Sequence, residues 1–441
     1  MKIAVIGGGI SGLGCAWALA QRHGVTLFEV SDRLGGHAHT ISVSDGTCEV
    51  DVDVGFIVFN EANYPNLVAL FDALRVPTEK SDMSFSASID DGTLEYKGSL
   101  PGLAAQPANL IKPRYWRMIF EMLRFFREAK KLLTEPDADT LTLGDYLRRE
   151  RYSNSFVYDH LLPMGAAIWS ATLPQMLEFP AVSFIRFLSN HALLEAGARP
   201  LWRTVSGGSK VYVQKLAKRF HGVIRLSTPV TAVRSCSVGA EVSSGAESEH
   251  FDAVVFACHA DQALAMLGND ATEERRNLLS AFRYQPNRAI LHRDPALMPI
   301  RRQAWASWNY LTTRGTDDEG AVFVTYWMNR LQNIETPKDI FVTLNPGRDI
   351  DPDRVIGSFD YMHPQFDMQA LAAQKQLHRT QGRDGLWFCG SYCGNGFHED
   401  GLQAGLQVAA ALGAPAPWHS RVVPISPAAG VVAPTLWKAA E

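Results

Sequence analysis

The pattern of apolar positions is clearest at the start of this 441-residue chain. Residues 2–6 form a short apolar run of the length typical of a buried parallel strand. Residues 11–22 carry apolar side chains at helical spacing, and a second apolar run covers residues 25–30. The order strand, helix, strand predicts the opening of an α/β domain.

Similar apolar runs return late in the chain, at residues 251–257 and 386–390, and predict further buried strands. Between about 267 and 380, aromatic residues stand on alternating stretches, which is typical of a mixed sheet. Residues 81–96 predict a hairpin around an Asp-Asp-Gly turn. The pattern therefore predicts a parallel-sheet core and a second, mixed sheet.

A glycine turn connects the first strand and helix. Gly7, Gly9 and Gly12 form G-x-G-x-x-G. The first glycine allows the tight turn, the second lets the backbone approach a pyrophosphate, and the third lets helix and strand pack closely. The phosphates would lie at the helix N-terminus, where Ser11 stands. Glu29, at the end of the next strand, would accept a ribose hydroxyl. Because strand, helix and acid all fit, a dinucleotide site is favoured over an ordinary glycine turn.

The composition of the chain mainly excludes certain classes of protein and site. The chain is 46% hydrophobic and 20% charged with a formal net charge of −4, as in globular proteins, and nothing in this balance favours nucleic acid. No apolar run is long enough for a membrane-spanning helix. The six cysteines show neither C-x-x-C nor metal-ligand spacing, which indicates reduced thiols, no metal site and a cytoplasmic protein. The oligomeric state stays open.

One segment, residues 112–133, is strongly basic, with seven cations against two acids. Its polar positions step by four and three and form a narrow helical stripe, and the remaining arc is apolar and aromatic. This pattern is typical of a helix lying on an anionic membrane surface. The alternative is a core helix with a solvated basic stripe, and the pattern alone does not decide between them.

After Glu29 the chain continues with Arg33, Gly35 and Gly36. Here it resembles the amine oxidase and phytoene desaturase superfamily of flavoproteins, whose N-terminal pattern is a dinucleotide turn, an acid, an arginine and a glycine pair. The resemblance implies FAD as the cofactor, with Glu29 on the adenosine ribose and Arg33 near the pyrophosphate. The superfamily usually has an arginine after the glycine pair, where this chain has His37.

The resemblance assigns further contacts along the chain. Gly55 would let the backbone pass close to the isoalloxazine ring, and the strand that contains Val230 would hold the adenine through backbone groups. Gly390 would end the last buried strand. Ser391 stands where the superfamily commonly has an acid that binds the ribityl chain.

A C-terminal motif, residues 390–405, resembles the superfamily's second flavin-binding segment, in which a helix N-terminus points at the flavin pyrimidine. Phe397 falls where amine oxidases have one aromatic wall of the substrate cage, and His398 is a candidate polar group beside the flavin. The backbone N–H groups of Gly401 and Leu402 would stabilise negative charge on the reduced ring. The expected cofactor contacts from this motif are Glu399, Asp400, Gly401 and Leu402, with a helix N-cap as the equal alternative for Asp400.

Two groups of residues raise the question of a covalent flavin link. His37 and His39 could bond the flavin, although hydrogen bonds to phosphate or to loop backbone are the simpler interpretation. Cys389 and Cys393 could also form such a link, although buried cysteines usually serve as small packing residues.

The resemblance also implies the domain organisation. An FAD-binding, Rossmann-like domain of the glutathione-reductase type would comprise residues 1–75, 203–266 and 383–413. An α+β substrate domain would comprise 76–202 and 267–382, with the mixed sheet and the basic helix as a route for substrate or membrane contact. Residues 414–441 form a Pro- and Ala-rich tail.

The histidine-containing turn at 35–40 and the ending at 396–401 resemble one branch of the superfamily most. This branch contains bacterial flavoproteins associated with cyclopropane-fatty-acid-synthase-like enzymes, including desaturases of methyl-branched acyl chains. The resemblance implies an FAD-dependent acyl-lipid desaturase, cytoplasmic or peripheral on the inner face of the membrane. An FAD-dependent amine oxidase and a non-catalytic redox sensor are the alternatives.

Overall fold

The computed structural model describes residues 1–46, 48–136, 138–195, 200–312 and 323–418. Over these ranges the chain has a mixed α/β fold with parallel and antiparallel strands, as the sequence predicts. The α-helices of the described ranges are Ile10–Leu19, Pro65–Leu74, Leu100–Leu103, Pro113–Glu128, Leu143–Arg149, Asn154–Phe156, Leu162–Trp169, Leu173–Glu178, Ala181–Asn190, Lys210–Lys218, Ala260–Leu267, Glu273–Ser280, Met328–Leu331, Met368–Gln376 and His398–Ala411.

Three separate parts of the chain supply one five-stranded parallel sheet. Alternate residues of its central strand belong to two apolar clusters, one with helix Ile10–Leu19 and the other with helix Ala260–Leu267. This two-sided burial explains why the strand is apolar throughout. In sheet order the strands are Val223–Arg225, Gly24–Phe28, Lys2–Ile6, Ala253–Phe256 and Leu386–Phe388.

A seven-stranded sheet forms the second layer and is mixed, as the aromatic pattern predicts. Only the pairing of Phe85–Ile89 with Trp308–Thr312 is parallel among the described pairings of this sheet. The predicted hairpin is confirmed, since Asp90, Asp91 and Gly92 all have positive φ in its turn. In sheet order the strands are Val355–Pro364, Tyr284–His292, Phe341–Leu344, Phe323–Trp327, Trp308–Thr312, Phe85–Ile89 and Leu94–Lys97.

Three small sheets complete the strands of the described residues. They are Thr40–Ser44 with Glu49–Asp53, then Val58–Asn60, Trp202–Val205 and Thr78–Lys80, and finally Val230–Ser235, Ala240–Ser244 and Glu247–Phe251.

The basic segment forms helix Pro113–Glu128, which buries Tyr115, Met118, Ile119 and Phe125 in the core. In the described ranges, no helix has the length and apolar character needed to cross a bilayer.

Of the predicted tail, residues 414–418 pack on the parallel-sheet part of the molecule, where the Trp418 ring stacks on Trp17 at 5.8 Å. The rest of the tail, 419–441, lies outside the described residues.

Candidate active site

A large cavity lies where the strands of the parallel sheet end in the carboxyl direction. It has a volume of about 1710 Å³ and is lined by the glycine turns and by residues of the seven-stranded sheet. Pockets for single small molecules typically measure about 300–1,000 Å³. The cavity therefore has room for a large cofactor together with a second molecule.

The first glycine turn has the geometry that the motif requires. Gly7 has φ of +113°, and a Cβ there would lie 2.6 Å from the carbonyl oxygen of Ala257. A Cβ on Gly12 would lie 1.8 Å from the carbonyl oxygen of Gly7. At Gly9, by contrast, a Cβ would have no neighbour within 4 Å, because this residue faces the cavity. The open space before a helix N-terminus fits a phosphate group.

The two helices that begin at the cavity pack unusually close together. A Cβ on Gly405 would lie 2.2 Å from the carbonyl oxygen of Ser11, and a Cβ on Gly14 would lie 2.4 Å from Leu402 Cδ1. The absence of these side chains brings helices Ile10–Leu19 and His398–Ala411 into backbone contact. Residues at both N-termini line the cavity, and the positive ends of the two helix dipoles favour a bound anion there.

The acid of the motif lies at the end of strand Gly24–Phe28 and lines the cavity. Glu29 Oε2 accepts the N–H of Gly8 at 2.6 Å, and Oε1 accepts the N–H of Ser31 at 2.8 Å. A carboxylate offers about four acceptor positions, so capacity remains for ribose hydroxyls. Val230 also lines the cavity, and its expected contact with the adenine stays a prediction.

Arg33 fixes the second glycine turn. Its Nη2 donates to the carbonyl oxygen of Gly36 at 3.0 Å, and it also lines the cavity. Gly35 and Gly36 have φ of +112° and +56°, a region that favours glycine. A Cβ on Gly36 would approach Gly9 Cα to 3.1 Å, so the two glycine turns touch.

His37 stands on the cavity wall with a buried Nε2 atom that has no partner among the described residues. Its backbone oxygen accepts the N–H of Phe56 at 2.7 Å, and a Cβ on Gly55 would lie 2.1 Å from that same oxygen. Gly55 is therefore required by close backbone contact with His37. An orphaned buried nitrogen facing the cavity is consistent with a polar cofactor that completes its hydrogen bonding.

The rest of this polar wall comes from strand Val355–Pro364. The ring of Tyr361 lies 5.0 Å from that of His37, and the ring of His363 lies 5.3 Å from it. Asn287 Nδ2 donates to Nδ1 of His363 at 3.1 Å, which places the proton of the neutral ring on Nε2. Burial lowers the pKa of His37 well below its usual range and that of His363 to about 4. Both rings are therefore neutral near pH 7.

The apoprotein is expected to lose stability through His363 as the pH falls. The pKa of His363 in the folded protein, about 4, lies below the ordinary histidine value of about 6.5, so the unfolded chain takes up the proton first. His363 therefore leaves the free energy of unfolding unchanged above about pH 6.5 and lowers it by up to about 3 kcal/mol as the pH falls toward 4. Denaturant unfolding of the wild type and His363→Gln across this range measures it. If the free energy of unfolding fell equally in the wild type and in His363→Gln, the low pKa assigned to His363 would be wrong.

Phe397 and His398 lie together at the N-terminus of helix His398–Ala411, and both line the cavity. The Phe397 ring stacks on Phe187 at 4.8 Å, which makes it part of an aromatic wall. The His398 ring stacks on Phe56 at 3.8 Å, and its Nε2 lies 2.6 Å from the hydroxyl of Tyr212. Burial lowers the pKa of His398 to about 3, so it is a fixed neutral group.

Glu399 and Asp400 are not among the described lining residues of the cavity, and their carboxylates are used elsewhere, so the predicted cofactor contact is corrected for their side chains. Glu399 Oε1 accepts the backbone N–H and the side-chain amide of Asn66 at 2.9 and 2.8 Å, and Oε2 accepts the N–H of Leu67 at 2.9 Å. It therefore caps helix Pro65–Leu74. Asp400 Oδ2 accepts the N–H of Phe397 at 2.9 Å and caps its own helix.

The roles expected for Gly401 and Leu402 are also corrected. The N–H of Gly401 donates to the carbonyl oxygen of Phe397 at 3.1 Å, so it is used within the helix. The side chain of Leu402 packs against Gly14. The N–H groups without an intrahelical partner belong to the preceding turn, residues 398–400, and these are the ones that can face a cofactor.

Gly390 and Ser391 line the cavity as the resemblance implies. Neither Cys389 nor Cys393 is among the described lining residues, whereas Cys258 is. Burial raises the pKa of Cys258 above its usual range, so its thiol is protonated. Because Cys389 and Cys393 are not among the described lining residues, neither is placed to bond a flavin in the cavity.

One part of the cavity is lined by apolar residues of the seven-stranded sheet and of helix Pro113–Glu128, and we call this part the apolar arm. Two carboxylates on its wall are already paired. Asp82 Oδ2 lies 2.8 Å from Nη2 of Arg330, and Glu195 Oε1 lies 2.9 Å from Nζ of Lys130. The apolar residues of the arm include Phe85, Leu103, Met118, Ile119, Met122, Leu123, Phe126, Met164, Ile168, Leu193, Leu201, Trp308, Val342 and Leu344.

These features define a site for FAD in an oxidoreductase. They are the two glycine turns, the carboxylate of Glu29 and the N-termini of helices Ile10–Leu19 and His398–Ala411. The comparison with protein families agrees and is more specific. The model for flavin-containing amine oxidoreductases matches residues 10–296, which is more than half of the chain. The chain belongs to this family.

Solved structures of low identity share the fold. Putrescine oxidase bound to putrescine has a TM-score of 0.67 and 14% identity, covering 93% of this chain and 98% of that one. Cyclohexylamine oxidase from Brevibacterium oxydans IH-35A has 0.65 and 17%, with the same coverage. A CLA-producing fatty acid isomerase from P. acnes has 0.64 and 14%, covering 91% and 96%. A search of curated proteins gives no match.

Several site residues had no signal in the sequence. Tyr361 and His363 belong to an alternating strand, where histidine and tyrosine are ordinary residues. Tyr212 lies on helix Lys210–Lys218 and looks like a core position. Only the fold brings them next to His37 and His398.

Proposed function

We propose that this oxidoreductase desaturates a methyl-branched, unsaturated fatty acyl chain carried by a phospholipid. The observation that carries the proposal is the apolar arm, part of a cavity whose volume of about 1710 Å³ exceeds that of a single-ligand pocket. An acyl chain has no polar group along its length, and such a wall suits it. A fatty acid isomerase shares the fold, so one protein of this architecture acts on such a chain.

The described residues can supply what desaturation needs. When bound, FAD would accept a hydride from an allylic carbon, whose C–H bond is weak. The aromatic wall of Phe397 and Phe187 excludes water and orients the chain. The converging helix N-termini stabilise negative charge on the reduced cofactor. Loss of the hydride would leave an allylic cation whose neighbouring C–H is acidic enough for a weak base, so the neutral ring of His37 can accept that proton at Nε2 although burial lowers its pKa.

Amine oxidation is the second candidate, because the family and two of the similar structures carry that activity in their descriptions. A cationic amine would need an acidic partner. The two carboxylates of the apolar arm named above, Asp82 and Glu195, are each bound to a cation of the protein. This pairing favours the acyl chain over the amine.

Anaerobic reduction of the bound flavin distinguishes the two functions. We expect unsaturated phospholipid with a methyl-branched chain to bleach the flavin absorbance, and putrescine and cyclohexylamine to leave it unchanged. The saturated phospholipid of equal length serves as the control, since it has no allylic hydrogen. Bleaching by an amine and not by lipid would reverse the assignment.

A further inference from the structure

Helix Pro113–Glu128 leaves part of its apolar surface uncovered, although its other side is in the core. Phe120 is 64% exposed, Leu123 47% and Trp116 42%. The Trp116 indole donates to the carbonyl oxygen of Leu110 at 2.7 Å, and its ring lies 6.1 Å from that of Phe120. With Ile111, which is 85% exposed, these side chains form one contiguous apolar face. Such clusters mark interaction sites in soluble proteins.

Cations border this apolar face. The side chains of Arg127 and Arg117 are 73% and 64% exposed, and each is joined to an acid of its own helix. Across residues 112–133 there are seven cations and two acids, and Asp159 and Glu195 pair with Arg114 and Lys130, so seven cations less four acids leave an excess of three positive charges. An apolar centre with a cationic border matches an anionic lipid surface, with acyl tails beneath and phosphates around.

The structure also shows which side of this helix is exposed. The polar stripe predicted from the sequence is turned partly toward the protein. Glu121 Oε2 accepts both the N–H and the hydroxyl of Ser153, at 2.8 and 2.6 Å, and the guanidinium of Arg124 lies 4.4 Å from the ring centroid of Tyr152. The outward side is therefore the flank that carries Phe120, between the stripe and the cavity.

The apolar arm of the cavity opens beside this flank. Leu123 lines the cavity and is 47% exposed, and Leu201 lines it and is 50% exposed. Since Leu123 is also a neighbour of the exposed Phe120 on the same helix, we place the mouth of the cavity here. Consequently a chain leaving a bilayer at this face would enter the cavity without crossing water.

We propose that residues 110–127 dock the protein on an anionic phospholipid bilayer, with Phe120 and Leu123 inserted and the mouth of the cavity against the lipid. Docking itself needs only the exposed face. The further statement that the acyl substrate enters there rests on the function proposed above.

Vesicle cosedimentation of the FAD-loaded protein tests the docking. We expect binding to vesicles that contain phosphatidylglycerol and weaker binding to phosphatidylcholine alone. The variant Phe120→Ser with Leu123→Ser should bind about a hundredfold less tightly. The variant Arg117→Gln with Arg127→Gln should lose about thirtyfold on the anionic vesicles, and salt should weaken the wild type similarly.

The control is Val238→Ser, which removes a side chain that is 72% exposed at a distant turn and should leave binding unchanged. Unchanged binding of the Phe120 and Leu123 double variant would overturn the proposal. If detergent-dispersed lipid bleaches the flavin while vesicles are not bound, only the docking is wrong. If vesicles are bound and no lipid bleaches the flavin in either form, only the proposed reaction is wrong.

Discussion

Replacing Gly9 by valine is expected to abolish retention of FAD while leaving the fold stable. Gly9 has φ of −75° and ψ of −176°, a conformation that any residue adopts. A Cβ there meets no atom within 4 Å, so the new side chain would occupy the space in front of the helix N-terminus. Because it would displace the charge-assisted bonds of a pyrophosphate, we expect affinity for FAD to fall about a hundredfold or more.

Flavin content after purification measures the retention of FAD, and the Tm of the apoprotein measures the stability of the fold. Gly24→Ala is the matched control, since a Cβ there would lie 3.8 Å from the carbonyl oxygen of Met1, an ordinary contact away from the cavity. It should keep its flavin. Stoichiometric flavin in Gly9→Val would show that the pyrophosphate does not lie at this turn.

Filling the apolar arm has the second large expected effect. Met122 lines the arm from helix Pro113–Glu128, and Met122→Trp would narrow the path of an acyl chain. A displacement of about 1 Å at the reacting atoms can cost about a hundredfold in rate, so we expect flavin bleaching by lipid to slow by at least that factor. FAD content and reduction of the flavin by dithionite should stay as in the wild type.

The control for this variant is Phe120→Trp on the same helix. That side chain is 64% exposed and is not part of the described cavity wall, so bleaching should keep its rate. Equal rates for wild type and Met122→Trp would show that the substrate does not pass through the arm.

The parts of the site that the sequence predicted are those set by local chain geometry. Gly7, Gly9, Gly12 and Glu29 belong to one strand–helix–strand unit, so spacing alone places them correctly relative to one another. The same holds for the second glycine turn and Arg33. The physical reason is local: Gly7, Gly35 and Gly36 have positive φ, Gly12 has a close backbone contact, and Gly9 leaves open space before the helix N-terminus.

The residues whose predicted roles are corrected have contacts that depend on partners elsewhere in the fold. The carboxylate of Glu399 binds Asn66 and Leu67, which are more than 300 positions away, and no spacing rule indicates this. Helix His398–Ala411 begins at His398, so its N–H groups without an intrahelical partner belong to residues 398–400. The motif had suggested Gly401 and Leu402, about one turn later. Helical periodicity likewise found the amphipathic helix around Phe120, but only the neighbouring residues 150–155 determine which flank stays exposed.

The central claim is that flavin and acyl chain occupy one cavity and react there. A single turnover tests it most directly: the FAD-loaded protein is mixed without oxygen with excess methyl-branched unsaturated phospholipid, and the lipid is then analysed by mass spectrometry. The account predicts one chain that has lost two hydrogen atoms for each flavin reduced, and none from the saturated lipid. Lipid recovered unchanged, with the flavin still oxidised, would contradict it.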